Sequence, residues 1–185
     1  VDFITSTETS DGLITNIHER KNTLVRRSVN LSKRSHVIAA NVDIAFLVVT
    51  IAFPRTPTGF IDRFLVTTEA RQIPTIIVFN KIDIYDDELR EYANEIKSIY
   101  ERIGYTCIEV SALEGDNIEE LRQLMKNKTT LFSGHSGVGK SALINAIDSN
   151  LNLRTGEISL THLKGTHTTT FAEMFPLSFG GDIID

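Results

Sequence analysis

The sequence is short of the features that mark secreted, membrane-bound or disulfide-stapled proteins. It has one cysteine, Cys107, which excludes an intramolecular disulfide framework and a cysteine-only metal site within these 185 residues. A reducing, cytoplasmic setting is expected. No apolar run approaches the ~20 residues of a membrane span, and Val1-Asp2-Phe3-Ile4 carries neither a basic n-region nor a cleavage signature. A soluble, untargeted chain that does not bind membranes is the expectation. Basic charge is scarce too: 19 Lys and Arg face 24 Asp and Glu, a formal charge of −5, too acidic for nucleic-acid binding over the whole surface. Any such contact has to be local. Repeats and low-complexity tracts are missing. What is present, 41% hydrophobic and 23% charged residues, supports one α/β domain with a small appendage.

Residues 1–36 form that appendage. They alternate polar with apolar residues, as in Gly12-Leu13-Ile14-Thr15-Asn16-Ile17 and Asn22-Thr23-Leu24-Val25-Arg26, which predicts short strands. The piece is too short to enclose a barrel core of its own. Between Leu13 and His36 it carries six basic residues (Arg20, Lys21, Arg26, Arg27, Lys33, Arg34) against one acid, Glu19, a net of +5 inside an acidic protein. Such asymmetry marks either a basic docking face or a solvated ribbon.

From residue 43 the pattern changes to continuous apolar runs separated by helical periodicity, the signature of a mostly parallel sheet with helices on both faces. Strands are predicted over residues 43–50, 75–79, 106–110, 129–133, 171–175 and 182–184. Helices are predicted over 60–71, from Asp86 and Asp87 to Gly104, from a cap at Asp116 to about Lys126, and from Lys140.

Two motifs carry chemistry. Gly134-His135-Ser136-Gly137-Val138-Gly139-Lys140-Ser141, continuing into Ala142, matches G-x-x-x-x-G-K-[ST] between a predicted strand and a predicted helix. Its glycines let successive backbone N–H groups point at phosphates, helped by the helix N-terminus. Lys140 would place a cation on the β- and γ-phosphates and Ser141 a hydroxyl on Mg²⁺, while His135 reads as a tolerated surface residue. Asn80-Lys81-Ile82-Asp83 follows the strand at 75–79, at the carboxyl edge where open α/β sheets bind ligands. A carboxylate there accepts hydrogen bonds from guanine N1–H and its 2-amino group, donors that adenine lacks at that edge. Asp83 therefore selects guanine. Asn80 would brace the loop and contact the base, and the stem of Lys81 would cover one base face. Ser111-Ala112-Leu113 fits a third loop whose N–H groups meet the guanine O6.

In an ordinary GTPase the phosphate loop comes first; here Asn80 and Ser111 precede Gly134. The sequence resembles a circularly permuted GTPase. With Leu143-Ile144-Asn145, Gly165-Thr166-His167-Thr168-Thr169-Thr170, Arg20, Asn22, Arg26, Ala39-Ala40-Asn41-Val42-Asp43 and Ile61-Asp62-Arg63-Phe64-Leu65, it is similar to the small-ribosomal-subunit-dependent GTPase family, RsgA/YjeQ. That resemblance implies the closing strands of an OB-fold over residues 1–36, touching ribosomal RNA, and a permuted GTPase domain over 37–185. It implies GTP hydrolysis to GDP as a late maturation checkpoint of the small subunit, with Mg²⁺ as cofactor; a monomer is the expectation for its working state. It also implies a chain continuing past Asp185 through switch II into a domain with a structural Zn²⁺, neither of which these residues include. Gly165 to Thr170 would be switch I, with Thr168 or Thr169 on Mg²⁺ and the γ-phosphate; His167 could orient the attacking water or do no catalysis. Asp185 would hold Mg²⁺ through water, or be a solvated strand end. Two other functions stay open: a permuted GTPase of the large subunit, and a nucleotide-switched RNA-binding module with negligible turnover.

Overall fold

The computed structural model describes residues 1–5, 12–27, 35–153 and 172–185. In chain order the strands β1 (Asp2–Thr5), β2 (Gly12–Asn16), β3 (Thr23–Arg27), β4 (Ser35–Ala40) and β5 (Ile44–Val49) lead to helix α1 (Thr58–Glu69). Then come β6 (Thr75–Asn80), a 3₁₀ turn (Ile82–Ile84), α2 (Asp87–Arg102), β7 (Thr106–Val110), α3 (Ile118–Met125), β8 (Thr129–Ser133), α4 (Lys140–Ile147), β9 (Met174–Pro176) and β10 (Asp182–Ile184). One sheet has six strands in the order β7-β6-β5-β8-β10-β9, parallel except for β9 against β10.

Every residue of β5 is buried, as a central parallel strand covered on both faces requires. Because successive strand residues point to opposite faces, the sheet divides its side chains between two cores. Phe46, Val48, Val78 and Phe132 pack with Leu121, Leu143, Ile144 and Ile147 of α3 and α4. Leu47, Val49, Ile77 and Phe79 pack with Ile61 and Leu65 of α1 and with Ala93, Ile96 and Tyr100 of α2.

Helix ends show where local chemistry won. Asp86 caps α2 as the sequence predicts, its Oδ1 accepting the Leu89 N–H at 2.8 Å. Helix α1 begins two residues earlier than its periodicity predicts, directly after Pro57, whose φ of −66° suits a helix entry. The cap expected at Asp116 is not formed. Asn117, at φ +57°, precedes α3, and its side chain is spent on the Glu109 carbonyl at 2.8 Å, while the Asp116 carbonyl accepts from Ser111 N–H at 3.3 Å. Both residues tie α3 to β7 instead of capping it. Strand β9 ends on Pro176, tolerated because β9 is an edge strand; Phe171, where that strand was expected to begin, lies outside the described residues.

β1 pairs antiparallel with β2, and β3 with β4, as two separate two-stranded sheets. The β3–β4 pairing runs through Ala40, so it continues past the junction expected between residues 36 and 37. The hairpin is fixed to the large sheet by side chains that imitate strand pairing. Asn22 Nδ2 donates to Val42 O at 2.8 Å and Asn22 Oδ1 accepts from Val42 N–H at 2.9 Å. Asp43 accepts from Lys21 Nζ at 2.8 Å and from the Thr129 N–H at 2.9 Å, which clips the hairpin to the first residue of β8.

The Lys21 hydrogen bond, and next the Thr129 N–H, hold the Asp43 carboxyl below its ordinary range. A depressed carboxylate contributes stability above the unfolded value, near 3.9, and loses it as pH falls through the folded value. Asp43→Asn should therefore destabilise the protein at pH 7 by under about 1 kcal/mol, the Lys21 end being solvent-screened. Below pH 4 the two proteins should converge. Urea midpoints between pH 7 and pH 3 check this; a constant offset across that range would contradict it.

Candidate functional site

The carboxyl ends of β8, β6 and β7 carry the phosphate-loop motif, Asn80-Lys81-Ile82-Asp83 and Ser111-Ala112-Leu113, so the parallel sheet brings all three to one edge. The phosphate loop turns into α4 at Gly139, whose φ is +90° and where a Cβ would stand 2.6 Å from Asn80 Nδ2. Only glycine fits there. No side chain caps α4 and no acid lies in its first turn, so its leading N–H groups remain available to an anion. Lys140 folds over the loop, Nζ donating to the carbonyls of Gly134 at 3.0 Å and His135 at 3.3 Å.

Asn80 is 1% exposed and joins the other two loops. Its Nδ2 donates to Val138 O at 2.9 Å, and its Oδ1 accepts from Ala112 N–H at 3.2 Å. Lys81, held at φ +68°, reaches the same phosphate loop, Nζ donating to Gly137 O at 2.8 Å and to Phe53 O at 2.6 Å. Ile82 is half-buried. Asp83 is exposed, and its Oδ1 accepts from the Ser111 hydroxyl at 2.5 Å, while Ser111 Oγ accepts from Glu114 N–H at 3.0 Å. Ser111 thus contributes a side chain that orients the carboxylate, a contact its place in the loop did not reveal. The N–H groups of Ser111 and Ala112 are engaged by Asp116 O and Asn80 Oδ1, while Leu113 is 80% exposed. Beneath the loop lies buried Tyr85, its hydroxyl pushed up to about 12 by burial.

Electrostatics mark the phosphate end. Burial pushes the Lys140 ammonium down against the opposing pull of Asp185, and burial pushes the Asp185 carboxyl up against the pull of Lys140. Burial also lowers Lys81, with Asp83 opposing. The residues suit a magnesium ion: among the described residues the Ser141 hydroxyl has no hydrogen-bond partner, and Asp185 follows β10 with a half-buried carboxyl bonded to no side chain. No group of three His, Cys, Asp or Glu stands together among the described residues, and burial pushes the Cys107 thiol up to about 12.

His135 corrects one expectation. It is half-buried, its ring stacked on Phe60 of α1 at a centroid distance of 3.8 Å, with Nε2 buried and unpartnered among the described residues. Gly165, Thr166, His167, Thr168, Thr169 and Thr170 lie outside the described residues, as do Lys33, Arg34 and the side chains of Arg26 and Arg27. A cavity of about 340 Å³ between α3 and the end of α4 is lined by Glu119, Arg122, Lys126 and Asp148 and is separate from these loops.

A six-stranded sheet whose phosphate loop follows its base-side loops in the chain defines a circularly permuted P-loop GTPase. The family model described as RsgA GTPase matches residues 17–185. A small ribosomal subunit biogenesis GTPase RsgA from Flavobacterium psychrophilum is 57% identical over 174 residues, covering 94% of this chain and 53% of that protein. The protein of that name from Bacteroides fragilis is 52% identical over 172 residues, covering 93% and 56%. Among solved structures, YjeQ from Thermotoga maritima is similar with a TM-score of 0.74 at 38% identity, over 99% of this chain and 57% of that one. YloQ, a circularly permuted GTPase, gives 0.69 at 30% identity, over 99% and 53%. The chain belongs to the RsgA GTPase family, and it spans about half the length of the curated relatives it matches.

Because Asn80 satisfies a buried carbonyl and a half-buried N–H at once, Asn80→Ala should lower stability by about 2–4 kcal/mol, the cost of stranding Val138 O and Ala112 N–H. Asn80→Asp keeps the acceptor for Ala112 but sets a second carboxylate oxygen against Val138 O in a nearly sealed site, so it should recover little of that loss. Urea denaturation measures both; wild-type stability in the alanine variant would rule out the bridge.

Proposed function

We propose that this chain is the nucleotide-binding and hydrolysing unit of a cytoplasmic GTPase acting in small-subunit ribosome biogenesis. The observation that carries the reading is the joining of Asp83, oriented by Ser111, to a phosphate loop through Asn80 and Lys81. Guanine recognition and phosphate binding then belong to one rigid site. Asp83, keeping one oxygen beyond the Ser111 contact, accepts from the guanine N1–H and 2-amino group. The stem of Lys81 lies along the base. Residues 134–142 wrap the phosphates with backbone N–H groups, and Lys140 leaves the carbonyls of Gly134 and His135 for the β- and γ-oxygens. Mg²⁺ would be held by Ser141 and Asp185 and would supply charge neutralisation at those phosphates. Thr168 or Thr169 would be a further ligand, and His167 the candidate for orienting water. Catalysis in this scheme is positioning and charge stabilisation.

The names of the relatives support the small subunit as partner, and the basic stretch from Arg20 to Arg34 is the proposed contact with its RNA, as part of an OB-fold. Among the described residues no helix is long and apolar enough to cross a membrane. The working unit is proposed to be a monomer.

Two measurements test the reading. Asp83→Asn should weaken GTP and GDP by ~1–3 kcal/mol and shift preference toward xanthine nucleotides, because an amide donates where the carboxylate accepted. Unchanged GTP affinity would sink the guanine assignment. In the intact protein, purified small subunits should stimulate single-turnover GTP hydrolysis, and Lys140→Ala should cut that rate at least ~10²-fold while leaving the melting temperature nearly unchanged. Stimulation by large subunits instead would redirect the partner; no turnover with either would make the protein a passive switch.

A further inference from the structure

Residues 50–60, which link β5 to the first turn of α1, belong to neither the phosphate loop nor the base-side loops, yet three contacts from those loops converge on them. The His135 ring lies on Phe60, with centroids 3.8 Å apart and planes at 37°. Pro54 closes against Gly137, where a Cβ would meet Pro54 Cδ at 3.3 Å. Lys81 Nζ is shared between Gly137 O at 2.8 Å and Phe53 O at 2.6 Å.

The segment is itself tied shut. Thr50 N–H donates to Thr56 Oγ1 at 3.1 Å, Thr56 N–H returns to Thr50 O at 2.9 Å, and the Thr50 hydroxyl donates to Pro54 O. Both threonines are buried. On the other side Arg55 stacks over the Tyr92 ring of α2, 4.9 Å from its centroid, and donates to the Tyr92 hydroxyl. Phe53 adopts a φ of +49°, a left-handed conformation unfavourable for an aromatic residue, with its side chain 72% exposed. The ring gains little burial there; what the conformation accompanies is a carbonyl bonded to Lys81.

We infer that residues 50–60 are a brace for the nucleotide site, with Phe60 and Pro54 as positioning residues that hold the phosphate loop closed and so set the rate of nucleotide release. A glycine-rich loop has little rigidity of its own, and its hold on phosphates depends on several N–H groups keeping one direction. Phe60 fixes His135, whose carbonyl is one of the two that hold Lys140. Pro54 fixes Gly137, two residues further on. Between them stands Ser136, so the middle of the loop is pinned on both sides. The buried, unpartnered Nε2 of His135 is consistent with this role, because the stack keeps the ring where it makes no hydrogen bond among the described residues.

The inference rests on the proposed binding of guanine nucleotides, so the test separates the two. In the intact protein, release of a fluorescent GDP analogue is followed by stopped flow alongside equilibrium affinity and melting temperature. Phe60→Leu should speed release about two- to ten-fold, the range expected for losing one aromatic pair, with the association rate nearly unchanged. Phe60→Tyr, which keeps the ring, should restore slow release. His135→Leu should add little to Phe60→Leu, since the two rings act as one unit. Arg55→Met, an exposed substitution that leaves the packing of α1 alone, should speed release about two-fold by loosening the same segment. Wild-type release rates in Phe60→Leu and Arg55→Met, or fully additive effects of the Phe60 and His135 changes, overturn the brace. If the wild-type protein itself fails to bind the analogue, the GTPase reading falls and the brace with it.

Discussion

One side-chain amide sets the register of the loops that surround the site. Asn80 is the last residue of β6, nearly sealed from solvent, and in such a place both ends of an amide must find partners. Val138 O and Ala112 N–H meet that demand together in only one relative placement of the phosphate loop and the loop after β7. The constraint then spreads outward. Gly139 must be glycine because Asn80 Nδ2 occupies the space of a side chain there. Ser111, one residue from Ala112, is left with its hydroxyl facing Asp83. The Asp83 carboxylate and the phosphate-loop motif are thus coupled through a hydrogen-bonded core rather than through flexible surface loops.

Charge at the phosphate end is arranged differently: Lys140 donates to two carbonyls and to no carboxylate. Burial disfavours the charged forms of both Lys140 and Asp185, and although each eases the other, they form no direct ion pair. Two half-buried opposite charges that ease each other without a direct ion pair carry a desolvation cost. On the proposed reading, a magnesium-bound nucleotide supplies the missing counter-charges, anionic oxygens for Lys140 and the cation for Asp185. Binding energy would then come partly from relief of that cost, and a ligand that binds only the folded state raises its stability accordingly.

Much of this was legible in the sequence because the informative features are local. A strand, six loop residues and a Lys-Ser pair fall within one short window, and so do a strand and Asn80-Lys81-Ile82-Asp83. Apolar runs locate β7, β8 and β10 residue for residue. Contacts between distant positions were not legible. Nothing in the neighbourhood of His135 indicates that its ring packs on Phe60, 75 positions away, and a histidine among glycines reads as exposed. The missed cap has a similar origin: Asp116 and Asn117 are both good capping residues, and only the structure shows that Asn117 stands next to the helix with its side chain already on the Glu109 carbonyl. Pro54 and Pro57 signal a turn after β5, yet the sequence does not say what that turn touches.

The permuted order also distributes stability along the sheet. A parallel sheet presents its ligand-binding loops at the carboxyl ends of its strands whatever their order in the chain, so permutation leaves the geometry of the site intact while changing which strands are best anchored. β5 and β6 lie in the middle, each paired on both edges and covered on both faces, and they carry the base-side loop and the brace. β8 is paired on both edges too and is clipped at its first residue to the N-terminal hairpin by Asp43. β9 and β10 are three residues each, β9 forming the sheet edge and β10 joined to β8 through three residue pairs. Local opening is least costly where burial and pairing are thinnest. By that measure the edge strand β9, only partly buried, opens most easily, whereas β10 keeps Ile183 and Ile184 buried between β8 and β9.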